Sequence, residues 1–132
     1  MSFKGLKVLL IEDNEMNRNL CCDILKIFNA QVVEAENAEN GLELLEQDPP
    51  DLILMDVQLP GMDGIQATRL IKRNPEWNRI PIIAITAHAL EGELVEIMEA
   101  GFDSQICKPF KISEFVAEVS RHLGVEAEFP QS

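Results

Sequence analysis

The 132-residue chain sets 11 basic against 23 acidic residues, a net charge of -12, and 46% of its side chains are hydrophobic. That length fits one domain, 1–132, which buries about two-thirds of the surface its unfolded chain exposes, so neither disulfides nor a structural metal are needed to hold it. The acidic balance argues against nucleic acid and anionic lipid as direct partners; no apolar run reaches the roughly 18 residues of a membrane span and no signal-peptide core follows the first Met, so a soluble, cytoplasmic protein is expected.

The elements alternate from one end to the other. "LKVLLI" (6–11) reads as a buried strand, and Asn14 then caps a helix with apolar Met16, Leu20, Ile24, Leu25 and Phe28 at three- and four-residue steps. "AQVVEA" (30–35) is the second strand, followed by a short helix opened by Asn37 or Asn40, carrying Leu42, Leu44 and Leu45, and stopped by Pro49-Pro50. "DLILM" (51–55) is apolar at every side chain after Asp51, as a strand covered on both faces must be. Pro60-Gly61 suits the centre of a type II turn, and Asp63 caps a helix over Gly64 to Arg73. "IPIIAIT" (80–86) is the fourth strand and "EGELVEIMEA" the fourth helix, closed by Gly101, with Leu90, Leu94, Ile97 and Met98 read chiefly as core. "SQICK" (104–108) is the fifth strand, and "ISEFVAEVSRHL" (112–123), with Ser113 as its cap, the last helix before a short tail, 124–132. Cys21, Cys22 and Cys107 lack metal-type spacing and read as free thiols, mainly small buried hydrophobes, while Trp77 packs within its own loop.

Five strand-then-helix units predict a five-stranded parallel α/β sheet, doubly wound, with five helices on its two faces. In such a sheet the site lies beyond the carboxyl ends of the strands, where strand order reverses. Glu12 and Asp13 follow the first strand, Asp56 the third, Thr86 ends the fourth and Lys108 the fifth. With order 2-1-3-4-5, strands one and three are neighbours ~4.8 Å apart, which brings Asp13 and Asp56 face to face beside Glu12. Like charges some 4 Å apart repel by ~4 kcal/mol at an effective dielectric of about 20, so three carboxylates want a cation or a shared proton. Hard oxygen donors without His or Cys favour Mg2+, with Mn2+ as an alternative. Lys108 spans roughly two strand spacings, ~10 Å, to put its ammonium at the centre, and Thr86 brings a hydroxyl. A carboxylate beside a divalent cation, with an ammonium and a hydroxyl around it, suits a nucleophile that accepts a phosphoryl group. No glycine-rich phosphate loop is present, so a nucleotide is not the expected donor.

"IEDNEMNR" (11–18), "DLILMDVQLPGMDG" (51–64), "AITAHAL" (84–90) and "CKPF" (107–110) together closely resemble the receiver domains of two-component response regulators, and the likeness runs over about residues 6–123. The resemblance implies a flavodoxin-like fold and phosphorylation of Asp56 by a sensor histidine kinase or histidine phosphotransfer protein. It implies Mg2+ held by Glu12, Asp13, Asp56 and the backbone carbonyl of Gln58, phosphoryl contacts from Thr86, Ala87 and Lys108, and a cis bond before Pro109. It also implies output to a downstream protein through helix four, strand five and helix five. The resemblance also implies that Gln58 and His88 tune dephosphorylation, although His88 taken alone reads as a solvated loop histidine. Gln105 occupies the position at which the family usually carries an aromatic switch residue. Asn14 and "TAHAL" look most like stand-alone regulators of the DivK kind and the receivers of hybrid kinases, and the starting Met and short tail favour a stand-alone protein.

Each site residue taken singly has a plainer reading as a cap, turn or strand end; their joint placement at one sheet edge favours the functional one. An aspartate-nucleophile phosphohydrolase would need a cap domain for which the chain is too short, and a scaffold that had lost phosphorylation would be expected to lack Asp56 or Lys108. The protein is therefore read as a signalling switch whose only catalysis is its own phosphorylation and dephosphorylation.

Overall fold

The structure, a computed structural model, describes residues 2–87 and 91–124. The elements are β1 (Lys7–Ile11), α1 (Glu15–Ile27), β2 (Gln31–Ala35), α2 (Ala38–Gln47), β3 (Leu52–Asp56), α3 (Gly64–Arg73), β4 (Ile82–Thr86), α4 (Glu91–Ala100), β5 (Ser104–Cys107) and α5 (Ile112–Leu123). All strand pairs are parallel, in the order β2-β1-β3-β4-β5. This is the doubly wound parallel sheet that the alternation of strand and helix patterns predicts, in the flavodoxin-like order that the resemblance implies.

Alternation along each strand sorts the core into two layers. Val8, Leu10, Leu52, Leu54, Ile83, Ile85 and Ile106 meet Ile24 and Leu25 of α1 and Phe115, Val116 and Val119 of α5. Leu9, Ile11, Ile53, Met55, Ile82 and Ala84 meet α2, α3 and α4 through Leu45, Ile71 and Ile97. Every residue of β3 and β4 is buried, so the two central strands are covered on both faces, and Trp77 packs against the second layer from its loop. Full burial of one Leu or Ile contributes about 1.5–3 kcal/mol, so these rows dominate the stability of the sheet that carries the site.

Local chemistry sets the helix starts. The side chains of Asn14, Asn37 and Asp63 accept from the backbone N–H of Asn17, Asn40 and Gln66, three residues on, which resolves the choice between Asn37 and Asn40 in favour of the former. Gly61 has φ +72°, the left-handed value that the second central position of a type II turn requires. The bond before Pro109 is cis.

Four expectations need correction. Ser113 lies inside α5: Phe115 N–H donates to the Lys111 carbonyl, so Lys111 is the cap, and lysine has no acceptor to offer the helix. Met16 (82% exposed) and Leu20 face solvent, because α1 turns Cys21, Cys22, Ile24 and Leu25 inward instead. On α4 the core contact is made by Ile97 and Ala100, and Met98 is 67% exposed. Cys107 is exposed on the edge strand β5, unlike Cys21 and Cys22. Leu90 and the segment 125–132 lie outside the described residues.

Candidate functional site

Strand alternation delivers the charged groups to one place. Leu10, Leu54 and Ile106 line the layer under α1 and α5, and two residues beyond each stand Glu12, Asp56 and Lys108. Ile11 pairs with Met55 in the β1–β3 register, so the next residues outward on those strands are Glu12 and Asp56. Asp56 is itself the last residue of β3 rather than the first after it, paired with Ile85. The amide of Val57, just beyond, donates to the Ile85 carbonyl at 3.0 Å, so the backbone stays tied to β4 past the carboxylate.

One carboxylate oxygen from each of Glu12, Asp13 and Asp56 forms a trio within 4.8 Å of one another. Glu12 and Asp56 are buried and Asp13 is exposed, which gives the cluster a closed floor and an open rim. Lys108 Nζ reaches 2.8 Å from Glu12 Oε1 and 3.5 Å from Asp56 Oδ2. The other Asp56 oxygen, Oδ1, accepts from the Gln58 N–H at 2.9 Å. Thr86, fully buried, closes β4 one residue past the register partner of Asp56, and its carbonyl accepts from the Lys108 N–H at 2.8 Å. Ala87 follows on the exposed side, Gln105 is half-buried opposite Ala84 on β5, and His88 lies outside the described residues.

The charges are strongly coupled. Burial pushes the Glu12 carboxyl up to about 7, helped by the adjacent Asp56 carboxylate, with Lys108 opposing. Burial works against the Lys108 ammonium too, but its bond to Glu12 and the field of the two carboxylates outweigh that and raise its pKa above the ordinary lysine value. Burial, and after it the Glu12 charge, lifts the neighbouring Cys21 thiol to about 12, which leaves it an inert core group.

The donor set fits a small hard cation. Glu12 Oε2 is buried without a hydrogen-bond partner among the described residues, and an oxygen so placed carries a desolvation cost of about 1–3 kcal/mol unless something positive meets it. An all-oxygen cluster with one face open to water is what Mg2+ accepts, since it retains several of its waters.

Three supporting residues were not assigned a role from the sequence. Arg18 Nη1 donates to the Glu12 carbonyl at 2.9 Å. Glu39 of α2 accepts from Met62 N–H at 3.2 Å and so holds the loop after Asp56. A Cβ on Gly64 would sit 2.3 Å from the Asp56 carbonyl oxygen, so the first turn of α3 presses directly on the strand that carries Asp56. Gly64 alone had a signal, the second glycine of "GMDG"; the other two are ordinary surface charges until the chain is folded.

Residues 8–120 match the family profile of the response regulator receiver domain. The chain belongs to that family. The receiver is 35% identical over 117 residues to the polar-differentiation response regulator DivK of Brucella anthropi, covering 89% of this chain and 95% of the relative. It superposes with a TM-score of 0.85 and 35% identity, over 91% of this chain and 98% of the other, on the receiver domain of a sensor histidine kinase from Pseudomonas aeruginosa PAO1, a structure with a magnesium ion coordinated in the active-site cleft. A signal receiver domain of a histidine kinase from Syntrophus aciditrophicus aligns at 29% identity with a TM-score of 0.86, over 97% and 98% of the two chains. The receiver is thus a module of two-component signalling, and among its described residues no helix is long and apolar enough to cross a membrane.

Proposed function

We propose that the receiver accepts a phosphoryl group on Asp56 from a phosphohistidine of a sensor kinase or phosphotransfer protein and thereby switches its binding to a downstream protein. The observation that carries this reading is a buried carboxylate at the tip of the central strand, 3.5 Å from a lysine ammonium and within 4.8 Å of two further acids. An Asp56 oxygen attacks phosphorus as the phosphorus–nitrogen bond breaks, and the electron pair stays on the imidazole, which takes up a proton. Gln58 N–H fixes the orientation of the carboxylate, and Lys108 stands where negative charge gathers on the transferred oxygens. The Thr86 hydroxyl and the Ala87 backbone are the groups proposed to bind those oxygens afterwards, with Gln58 and His88 governing hydrolysis. Glu12, Asp13, Asp56 and the Gln58 carbonyl would hold Mg2+, or Mn2+ in its place; the ion neutralises phosphoryl oxygens when bound. Exposed Val95 and Met98 on α4 support the face of α4, β5 and α5 as the output surface, with Gln105 altering how the switch is read there. The receiver catalyses only its own phosphorylation and dephosphorylation, and acts in the cytoplasm.

Acetyl phosphate and Mg2+, followed by intact-protein mass spectrometry, test this reading. A single labile phosphoryl adduct is expected on the wild type and none on Asp56→Asn. An adduct that survives in the variant, or none on the wild type with any phosphodonor, overturns it.

A further inference from the structure

The three carboxylates of the cluster are not held alike. Glu12 is gripped by Lys108 at 2.8 Å, and Asp56 by the Gln58 amide at 2.9 Å. Among the described residues, no hydrogen bond or ion pair reaches the Asp13 side chain, so its place in the cluster depends on the backbone beneath it. That backbone is hooked by one residue. Arg18, in the first turns of α1, has a side chain only 13% exposed, and its Nη1 donates to the Glu12 carbonyl at 2.9 Å and leans on the Asp13 carbonyl at 3.4 Å. The other side of the guanidinium is braced by Glu34 at the outer edge of the sheet, 3.7 Å from Nε, and by Glu36, 3.6 Å from Nη2. Fixing two successive carbonyls fixes the peptide planes on both sides of Asp13, and with them the direction its side chain leaves the chain.

We infer that Arg18 is the positioning residue of the cation site, holding Asp13 at ligand distance through the two carbonyls while Glu34 and Glu36 hold Arg18. The inference rests on the metal-dependent reading above. Outer groups that orient metal ligands typically change affinity by 10–100-fold when removed. The sign of the effect is diagnostic, because a cation this close to the site repels Mg2+, so its removal would tighten binding if charge alone mattered.

Calorimetric titration of Mg2+ into the full chain at pH 8 tests it. Arg18→Ala is expected to bind Mg2+ about 10–100-fold more weakly than the wild type, and Arg18→Lys, which keeps one donor, to recover part of the loss. In an Asp13→Ala background, Arg18→Ala should have no further effect, a coupling that general loss of stability would not produce. Unchanged or tighter binding by Arg18→Ala, or losses that simply add in the double variant, overturn the inference. Failure of the wild type itself to bind Mg2+ would instead sink the metal-dependent reading. Should Arg18→Ala not fold, Glu34→Gln/Glu36→Gln keeps the arginine but frees its brace; several-fold weaker Mg2+ binding upholds the inference, and wild-type affinity refutes it.

Discussion

Replacing Glu12 by Gln removes the titration of a fully buried group without changing its shape, and so tests the electrostatics of the site. Its carboxyl is raised from 4.5 to about 7, which means the folded protein holds this proton more tightly than the unfolded chain does. Between those two pH values the folded state binds more protons, so the contribution is complete below the unfolded pKa and is lost as pH climbs through the folded one. A shift of that size corresponds to ~3 kcal/mol at 1.36 kcal/mol per unit. With an unfolding entropy of ~2.1 cal/mol/K per residue, a chain of this length loses roughly 10 °C in Tm for that change. Melts followed by circular dichroism in EDTA, from pH 4.5 to 8, measure it as the gap between Glu12→Gln and the wild type. The variant should become the more stable of the two as pH rises, and Mg2+ should raise the wild-type Tm more at pH 8 than at pH 5, because ion and proton compete for the same carboxylate. A gap that varies by less than about 2 °C over that range would refute the assignment of the buried charge to Glu12.

Gly64→Ala forces a methyl against the Asp56 carbonyl, within 2.3 Å; denaturant titration should show a loss of about 1–3 kcal/mol and phosphorylation by acetyl phosphate should slow. Lys111→Asp supplies the missing acceptor at the start of α5 and should stabilise the fold by ~1 kcal/mol in the same titration. Ellman's reagent should find one fast thiol, Cys107, in the native protein, with Cys21 and Cys22 reacting only on unfolding; fast reaction of all three would contradict the packing of α1.

Much of this architecture is written in short-range pattern. The unbroken apolar runs of β3 and β4 announce central strands because burial on both faces leaves no place for a polar side chain. Caps such as Asn14 and Asp63 are equally plain, since each bonds an amide three residues away. What escaped depends on partners distant in the chain. The apolar periodicity of α1 points to Met16 and Leu20 as readily as to Cys21 and Leu25, and only the position of the sheet decides which set is buried. The acid cluster and Lys108 could be placed because strand ends converge by topology. Arg18 could not, because its role comes from the carboxylates of Glu34 and Glu36 reaching it from the far side of β1.

The register of the sheet also gives the site a slope. Asp56 stands level with Ile85, Thr86 with Cys107 one step further out, and Lys108 one step beyond that. At ~3.3 Å per residue, the lysine backbone rises ~7 Å above Asp56 and above Glu12, which the β1–β3 register sets level with it. Its side chain must therefore fold back downward to bring the ammonium to Glu12 and Asp56, and in doing so it roofs the β5 side. On the β1 side, at the start of the loop into α1, the exposed Asp13 leaves the cluster open to water.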